Sequence, residues 1–190
     1  MKLGLQLFLV LAAVSPANAQ VNPPQTVING KALTTGQKAD FIRTYGTPPL
    51  GGTFWYDSTS GLWGVMGREA FGVLRPGHAY GALSPTASAG TTGVFINGRQ
   101  INTAEALYLQ GLLGSVVPGR WWLHGASGNF GLEGNPMPVG NVFAIARAAQ
   151  ARGGRGNYGE GMGAGSVSSA CITGTTGTGD NKIDYIVGCE

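Results

Sequence analysis

The sequence predicts an α+β fold made of antiparallel β-hairpins and two or three short helices. Asn-Gly turns at 29–30 and 97–98 are flanked by apolar residues, which is typical of hairpins. An aromatic phrase occurs twice, as FWYDSTSGLWGVMG at 54–67 and WWLHGASGNFGLEG at 121–134. A helical pattern lies between the turn and the phrase each time. Hairpins pair antiparallel, so these observations favour α+β over a parallel sheet.

The two phrases are the ends of a longer internal repeat at 27–67 and 95–134. Ile-Asn-Gly followed by a basic residue begins both copies, and Gly46, Trp55 and Ser60-Gly61 align with Gly114, Trp122 and Ser127-Gly128. Each copy therefore reads as a hairpin, a helix and a second hairpin. We expect the two copies to bury their apolar faces against each other.

The elements follow in order along each copy. Thr34 or Thr35 is expected to cap the first helix, and Asn102 or Thr103 the second. Gly46 and Gly114 are expected to end these helices in a left-handed conformation. The predicted arms of the aromatic hairpins are 54–57 with 62–66, and 121–124 with 129–132.

Less regular segments surround the repeats. Residues 68–93 contain many turn residues and one predicted strand at 71–74. Asn141 is expected to cap a third helix that runs to Gly153. The run GGRGNYGEGMGAG at 153–165 is glycine-rich and predicts a linker, and 166–190 predicts a hairpin around the turn GTTGTGDN.

The N-terminus is typical of a secretory signal peptide over residues 1–19. Lys2 precedes an apolar run from Leu3 to Val14, and Ala17-Asn18-Ala19 has the small-residue pattern of a cleavage site. The run is interrupted before the length of about 20 residues that a membrane span needs. We therefore expect an exported protein, periplasmic or extracellular, with no membrane insertion after cleavage.

The composition suits a single domain at 20–165. Thirty-four glycines and 11% charged residues indicate a chain rich in turns, whereas 43% hydrophobic residues argue against wholesale disorder. A formal net charge of +3 is too small to indicate nucleic-acid binding.

The two cysteines, Cys171 and Cys189, predict a disulfide. They lie near the C-terminus of a chain that we expect to be exported to an oxidising compartment. The bridge would join the open ends of the C-terminal hairpin.

Motifs of known chemistry are absent or out of context. Gly154, Gly156 and Gly159 form G-x-G-x-x-G, but this run follows a predicted helix and no strand precedes it, which excludes a dinucleotide site. No Walker A spacing occurs. The motif at 125–129 lacks the last glycine of a nucleophile elbow, where Asn129 stands. Two histidines leave few ligands for zinc. No catalytic residue, metal or cofactor is therefore assigned.

The candidate ligand-binding residues come from the aromatic hairpins. Asp57 and His124 follow the aromatic strands at matching positions, and each shares a strand face with a tryptophan. A two-fold arrangement would bring a carboxylate and an imidazole together beside two indoles, whereas a turn cap and an exposed hairpin residue are the simpler structural interpretation. The predicted binding residues are Trp55, Asp57, Trp63, Trp122, His124 and Phe130.

The sequence as a whole favours a non-enzymatic binding or structural module of the cell envelope, with a glycan or an envelope protein as partner. The phrase resembles the aromatic hairpins of choline-binding and glucan-binding cell-wall repeats through Trp55-Tyr56-Asp57 and Ser60-Gly61, but the helix within each copy sets the chain apart from that family. The alternative is a secreted hydrolase of envelope polysaccharide or peptidoglycan that uses Asp57, His124, Glu69 or Glu133. An assembly subunit or secreted inhibitor is a third hypothesis.

Overall fold

The structure is a computed structural model that describes residues 24–151 and the strands at 166–167, 172–176 and 183–187. It confirms the α+β class: two mixed sheets of five strands each are accompanied by three short helices. Within these residues, no helix is long and apolar enough to cross a bilayer.

The first half of the body is a five-stranded sheet with one helix. Its strand order is β2-β1-β3-β4-β5. The elements are β1 (Thr26–Ile28), β2 (Lys31–Ala32), α1 (Thr35–Tyr45), β3 (Gly52–Tyr56), β4 (Leu62–Val65) and β5 (Ala70–Val73).

The second half has a five-stranded sheet and two helices. Its strand order, β7-β6-β8-β9-β10, follows the same path as the first sheet. The elements are β6 (Val94–Ile96), β7 (Arg99–Gln100), α2 (Thr103–Leu113), β8 (Gly119–Leu123), β9 (Asn129–Leu132), β10 (Gly140–Asn141) and α3 (Val142–Ala151).

Each sheet contains one parallel pair, which the prediction of purely antiparallel hairpins missed. Strand β1 runs parallel to β3, and β6 runs parallel to β8. The cause is the path between them. The antiparallel second strand returns the chain to the end where the first strand began, and the helix and its following loop bring the chain back to that same end before the next strand starts. The hairpins themselves are antiparallel, as predicted.

The Asn-Gly turns adopt the conformation that their sequence predicts. Asn29 and Gly30 have φ of 49° and 75°, and Asn97 and Gly98 have φ of 49° and 86°, as a type I′ turn requires. The Asn29 amide also donates to Tyr56 O at 2.8 Å and accepts from Tyr56 N–H at 2.9 Å. Asn97 makes the same pair of bonds to Leu123, at 2.9 and 3.0 Å. Each turn therefore clamps its hairpin to the neighbouring aromatic strand.

The helix ends also follow from local chemistry. Thr34 and Asn102 are the N-caps, and each forms a capping box, with Gln37 and Glu105 respectively. Gly46 ends α1 in the predicted left-handed conformation, with φ of 71°. Gly114 ends α2 with φ of 81° and ψ of −30°, outside the left-handed region that was predicted for it. Asn141 accepts a hydrogen bond from Ala144 N–H at the start of α3.

Three further strands form a separate antiparallel sheet. They are β11 (Ser166–Val167), β12 (Ile172–Thr176) and β13 (Ile183–Val187), in the order β11-β12-β13. The predicted disulfide pair, Cys171 and Cys189, lies outside the described residues, as do the predicted signal peptide and the glycine-rich run.

A buried arginine of the second half contacts the first half. Arg99 of β7 donates to both carboxylate oxygens of Glu105, at 2.7 Å each, and to Ser88 Oγ at 2.7 Å. Its guanidinium carbon lies 3.9 Å from the ring centroid of Trp55, which belongs to the first sheet. Trp55 is fully buried and Arg99 is 1% exposed. A cation of the second half thus stacks on an aromatic ring of the first.

We predict that Arg99→Ala lowers the free energy of unfolding by about 3–5 kcal/mol, because it leaves Glu105 buried without its counter-charge. Denaturant unfolding of the purified protein measures this loss. The control is Arg120→Ala, which breaks the pair with Glu133 where both side chains are about half exposed (54% and 49%). That change should cost at most about 1 kcal/mol. Equal effects of the two substitutions would contradict the proposed importance of the buried pair.

Candidate functional site

Two of the predicted binding residues, Trp55 and Asp57, are buried at the junction of the halves. Trp55 packs against Ala70 and Ala87 and donates from its indole to Arg68 O at 3.0 Å. A ligand cannot reach a fully buried indole without opening the core. Burial therefore removes Trp55 from any preformed surface site.

The carboxylate of Asp57 is 4% exposed and occupied by the protein itself. It accepts from Thr59 N–H at 2.9 Å, from the Ser60 hydroxyl, and from Asn97 Nδ2 at 2.6 Å. The first two bonds hold the turn of the aromatic hairpin, as the turn-cap interpretation predicts. The third ties that turn to the second half.

His124 occupies the matching backbone position in the second half, but its side chain is exposed. Its Nδ1 lies 3.5 Å from Ser127 Oγ. The next residue, Gly125, donates its N–H to Thr59 O at 3.0 Å, so the two turns touch. The residue of the second half that binds the Asp57 carboxylate is Asn97 instead of His124.

The two glutamates of the hydrolase alternative make separate contacts. Asn102 Nδ2 lies 3.4 Å from the Glu69 carboxylate, while Glu133 forms an exposed ion pair with Arg120. Within the described residues, no three His, Cys, Asp or Glu side chains come together as a metal site.

The remaining predicted residues divide between the two halves. Trp63 is packed into the first core, 4.3 Å from Phe71 and 5.4 Å from Phe54 between ring centroids. Trp122 and Phe130 are among the residues that line a cavity in the second half. The Trp122 indole donates to Asn135 O at 2.8 Å.

This apolar cavity, of about 310 Å³, lies between the second sheet and its two helices. Ser115 is its one residue with a polar side-chain function besides the tryptophan indoles. The volume of the cavity is near the lower end of the range for small-molecule pockets. The lining residues are Val94, Ile96, Leu109, Leu113, Ser115, Val116, Val117, Trp121, Trp122, Leu123, Phe130, Val139, Val142 and Ile145.

The mouth of the apolar cavity continues into exposed apolar surface. Val117 and Val139 line the cavity and are 60% and 57% exposed, and the nearby Met137 is 69% exposed. Apolar side chains at such exposure are common singly, but a group that borders an apolar cavity is typical of an interaction site. The cavity and this rim together form the candidate functional site.

The corresponding space in the first half is filled by rings. Phe41 and Tyr45 of α1 stand where α2 has Leu109 and Leu113, and they pack on Phe54 and Tyr56. Residues after β5 complete the filling: Tyr80 contacts Tyr56 edge-on with ring centroids 5.2 Å apart. Aromatic residues therefore close one half, whereas smaller aliphatic residues leave the other open.

The filled half shifts the titration of its polar groups. Burial raises the pKa of Tyr80 to about 12 and lowers the pKa of His78 below its usual value. His78 Nε2 is 2.6 Å from the Tyr45 hydroxyl. These shifts favour neutral side chains and are the result of packing.

Most of the cavity wall could not be predicted from the sequence. The sequence predicts α2 and a third helix after Asn141, but it does not predict a cavity between them. The available indication was α2 itself, TAEALYLQGLL, which has apolar residues around more of its circumference than one core contact needs.

Comparison with known proteins finds two similar plant proteins. The chain is 34% identical over 125 residues to extra-large guanine nucleotide-binding protein 1 of Arabidopsis thaliana, and 30% identical over 128 residues to extra-large guanine nucleotide-binding protein 2. The alignments cover 63% and 64% of this chain but only 14% of each relative. No family model matches the chain, and no solved structure matches it significantly.

These relatives overturn the functional prediction. Guanine nucleotide-binding proteins of a plant are not exported modules or hydrolases of a cell envelope. The predicted envelope function, the periplasmic or extracellular location and the envelope glycan or protein partner are therefore wrong. The expectation of a secreted protein is wrong with them. The predicted disulfide loses the export argument on which it rested, and Cys171 and Cys189 lie outside the described residues.

Proposed function

We propose that this chain is a binding module of the kind that guanine nucleotide-binding proteins carry, and that its apolar cavity receives hydrophobic side chains of a protein partner. The observation that supports this most directly is the continuity between the cavity and its exposed rim, Val117 and Val139. A rim of this kind is left in water unless another surface covers it.

The chemistry of the cavity indicates the class of partner. The lining is almost wholly apolar, and the cavity has room for one or two large side chains. A helix that inserts such residues at i, i+3 or i+4 is a common partner of a groove of this type. The partner is therefore expected to present Leu, Phe or Trp from an amphipathic segment.

The module is proposed to be distinct from the nucleotide-hydrolysing part of such proteins. Phosphate-binding loops of that class need the spacing G-x-x-x-x-G-K-[ST]. Lys31 is the one lysine preceded by glycine in this chain, and Gln25 stands where the first glycine would be. The similarity to 14% of each relative is compatible with an accessory region.

We predict that Val117→Asp weakens the binding of an amphipathic peptide at least tenfold. When the peptide covers the cavity mouth, the new carboxylate loses its contact with water, and this costs free energy. Binders selected from a peptide array are titrated against the purified protein, and tryptophan fluorescence measures affinity. The control is Leu50→Asp, at a residue 44% exposed in the matching helix-to-strand connection of the first half. It should change affinity by less than about twofold.

Two results would contradict the proposal. One is equal weakening by both substitutions, which would locate binding elsewhere. The other is an array that yields only polar binders. A fluorescent guanine nucleotide is titrated in parallel, and nucleotide binding that Val117→Asp abolishes would assign the cavity to the nucleotide instead of to a peptide.

We also propose that the two halves are copies of one hairpin-helix-hairpin unit. The shared strand order, the Asn-Gly clamps and the capping boxes support this. The two aromatic hairpins also pair a glycine with a tryptophan at matching positions, which supports the same proposal. Gly64 pairs with Trp55, and Gly131 pairs with Trp122. A Cβ at these glycines would lie 2.7 and 2.6 Å from the indole Cζ2.

Matched substitutions test this equivalence. Gly64→Ala and Gly131→Ala should each destabilise the protein by about 1–3 kcal/mol, because the added methyl group overlaps the indole. Chemical denaturation measures both. The control, Gly36→Ala in α1, meets no atom closer than 3.9 Å and should be neutral or stabilising. If either substitution leaves the free energy of unfolding unchanged, the proposal that the two halves are copies of one unit is contradicted.

A further inference from the structure

A second cavity, of about 510 Å³, lies at the N-terminal end of α1 in the first half. Unlike the apolar cavity, it is bordered by several polar side chains, one of which is charged. These are Lys31, Thr34, Gln37, Ser58 and His78. We call this space the polar cavity.

Lys31 is the cation of the polar cavity. Its side chain is exposed and has no ion pair among the residues that the structure describes. Its stem runs over Gly81, where a Cβ would lie 3.3 Å from Lys31 Cδ.

The second half shows what a cation at this position binds. Arg99 occupies the place in β7 that Lys31 occupies in β2, and it binds the carboxylate of Glu105 in the first turn of α2. The matching residue of α1 is the neutral Gln37. The first half therefore keeps the cation but lacks the internal anion, and the space beside it is open.

The helix end favours an anion at the same point. The first turn of α1 contains no acidic residue, so the partial positive charge of its N–H groups is not offset by a carboxylate. The hydroxyls of Thr34 and Ser58 are also in the wall. Tyr80, another wall residue, has a buried hydroxyl without a hydrogen-bond partner among the described residues.

We propose that the polar cavity binds the phosphate group of a small molecule, with Lys31 as its counter-charge. A lysine binds phosphate as a point charge, and the N-terminus of a helix favours phosphate at the same place. A phosphate group carries more negative charge at neutral pH than a carboxylate does, which favours phosphate beside Lys31. This proposal does not depend on the apolar cavity.

Titration of the isotope-labelled full chain tests the site by NMR. Inorganic phosphate should shift the amide signals of residues 31, 34–37 and 58, and Lys31→Ala should weaken this binding at least tenfold. Lys38→Ala, which removes a lysine outside the cavity wall, should change affinity by less than twofold. Unchanged affinity in Lys31→Ala, or equal loss in both variants, would overturn the proposal.

Further ligands identify the source of the phosphate. If GDP binds more tightly than inorganic phosphate and Lys31→Ala weakens this binding, the ligand of the polar cavity is a nucleotide. If GDP and inorganic phosphate bind with equal affinity, the cavity recognises the phosphate group alone. Acetate bound as tightly as phosphate would overturn the preference for phosphate.

A second variant, Gln37→Glu, supplies the missing internal anion. It retains an oxygen that can accept from Thr34 N–H, as Gln37 Oε1 does at 2.9 Å. Because the new carboxylate lies beside Lys31, phosphate affinity should fall at least tenfold while circular dichroism shows a folded protein. Full phosphate binding by this folded variant would also overturn the proposal.

Discussion

The ion pair of Arg99 and Glu105, stacked on Trp55, is the interaction on which the arrangement of the two halves depends. It is buried, its carboxylate also accepts from the N–H of the N-cap Asn102, and it places a side chain of the second sheet on a ring of the first. Such a pair adds little net stability relative to apolar residues of the same volume, but leaving either member buried without the other is strongly unfavourable. Arg99 and Glu105 both lie in the second half, so the contact that joins the halves is the stacking of the Arg99 guanidinium on Trp55, and the pair holds that guanidinium in place.

The halves use this common framework differently. The first is closed by Phe41, Tyr45 and Tyr80, and its Lys31, near the start of α1, has no ion pair within the described part of the chain. In the second half, Arg99 is paired with Glu105, and an apolar cavity lies beneath α2. The first half therefore carries the polar candidate site, and the second half carries the apolar one.

Much of the local structure could be predicted, because it follows from chemistry within a few residues. The Asn-Gly turns, the caps at Thr34 and Asn102 and the positions of the aromatic hairpins, to within two residues at each strand end, belong to this group. The parallel pairing of β1 with β3 depends on the path of a helical connection, and the burial of Arg99 depends on Trp55, which is distant in sequence. The apolar cavity depends on volume that side chains leave unfilled. The Asp57–His124 hypothesis assumed a symmetric approach of the halves, whereas Asn97 makes that contact.

Native-state hydrogen exchange tests most directly whether the buried pair unites the halves in one cooperative body. The account predicts that the slowest amides of β3 and β8 exchange with the same free energy, equal to that of global unfolding. If the β8 amides instead exchange through a separate opening of much lower free energy, with β3 still protected, the halves are independent and the central claim is contradicted.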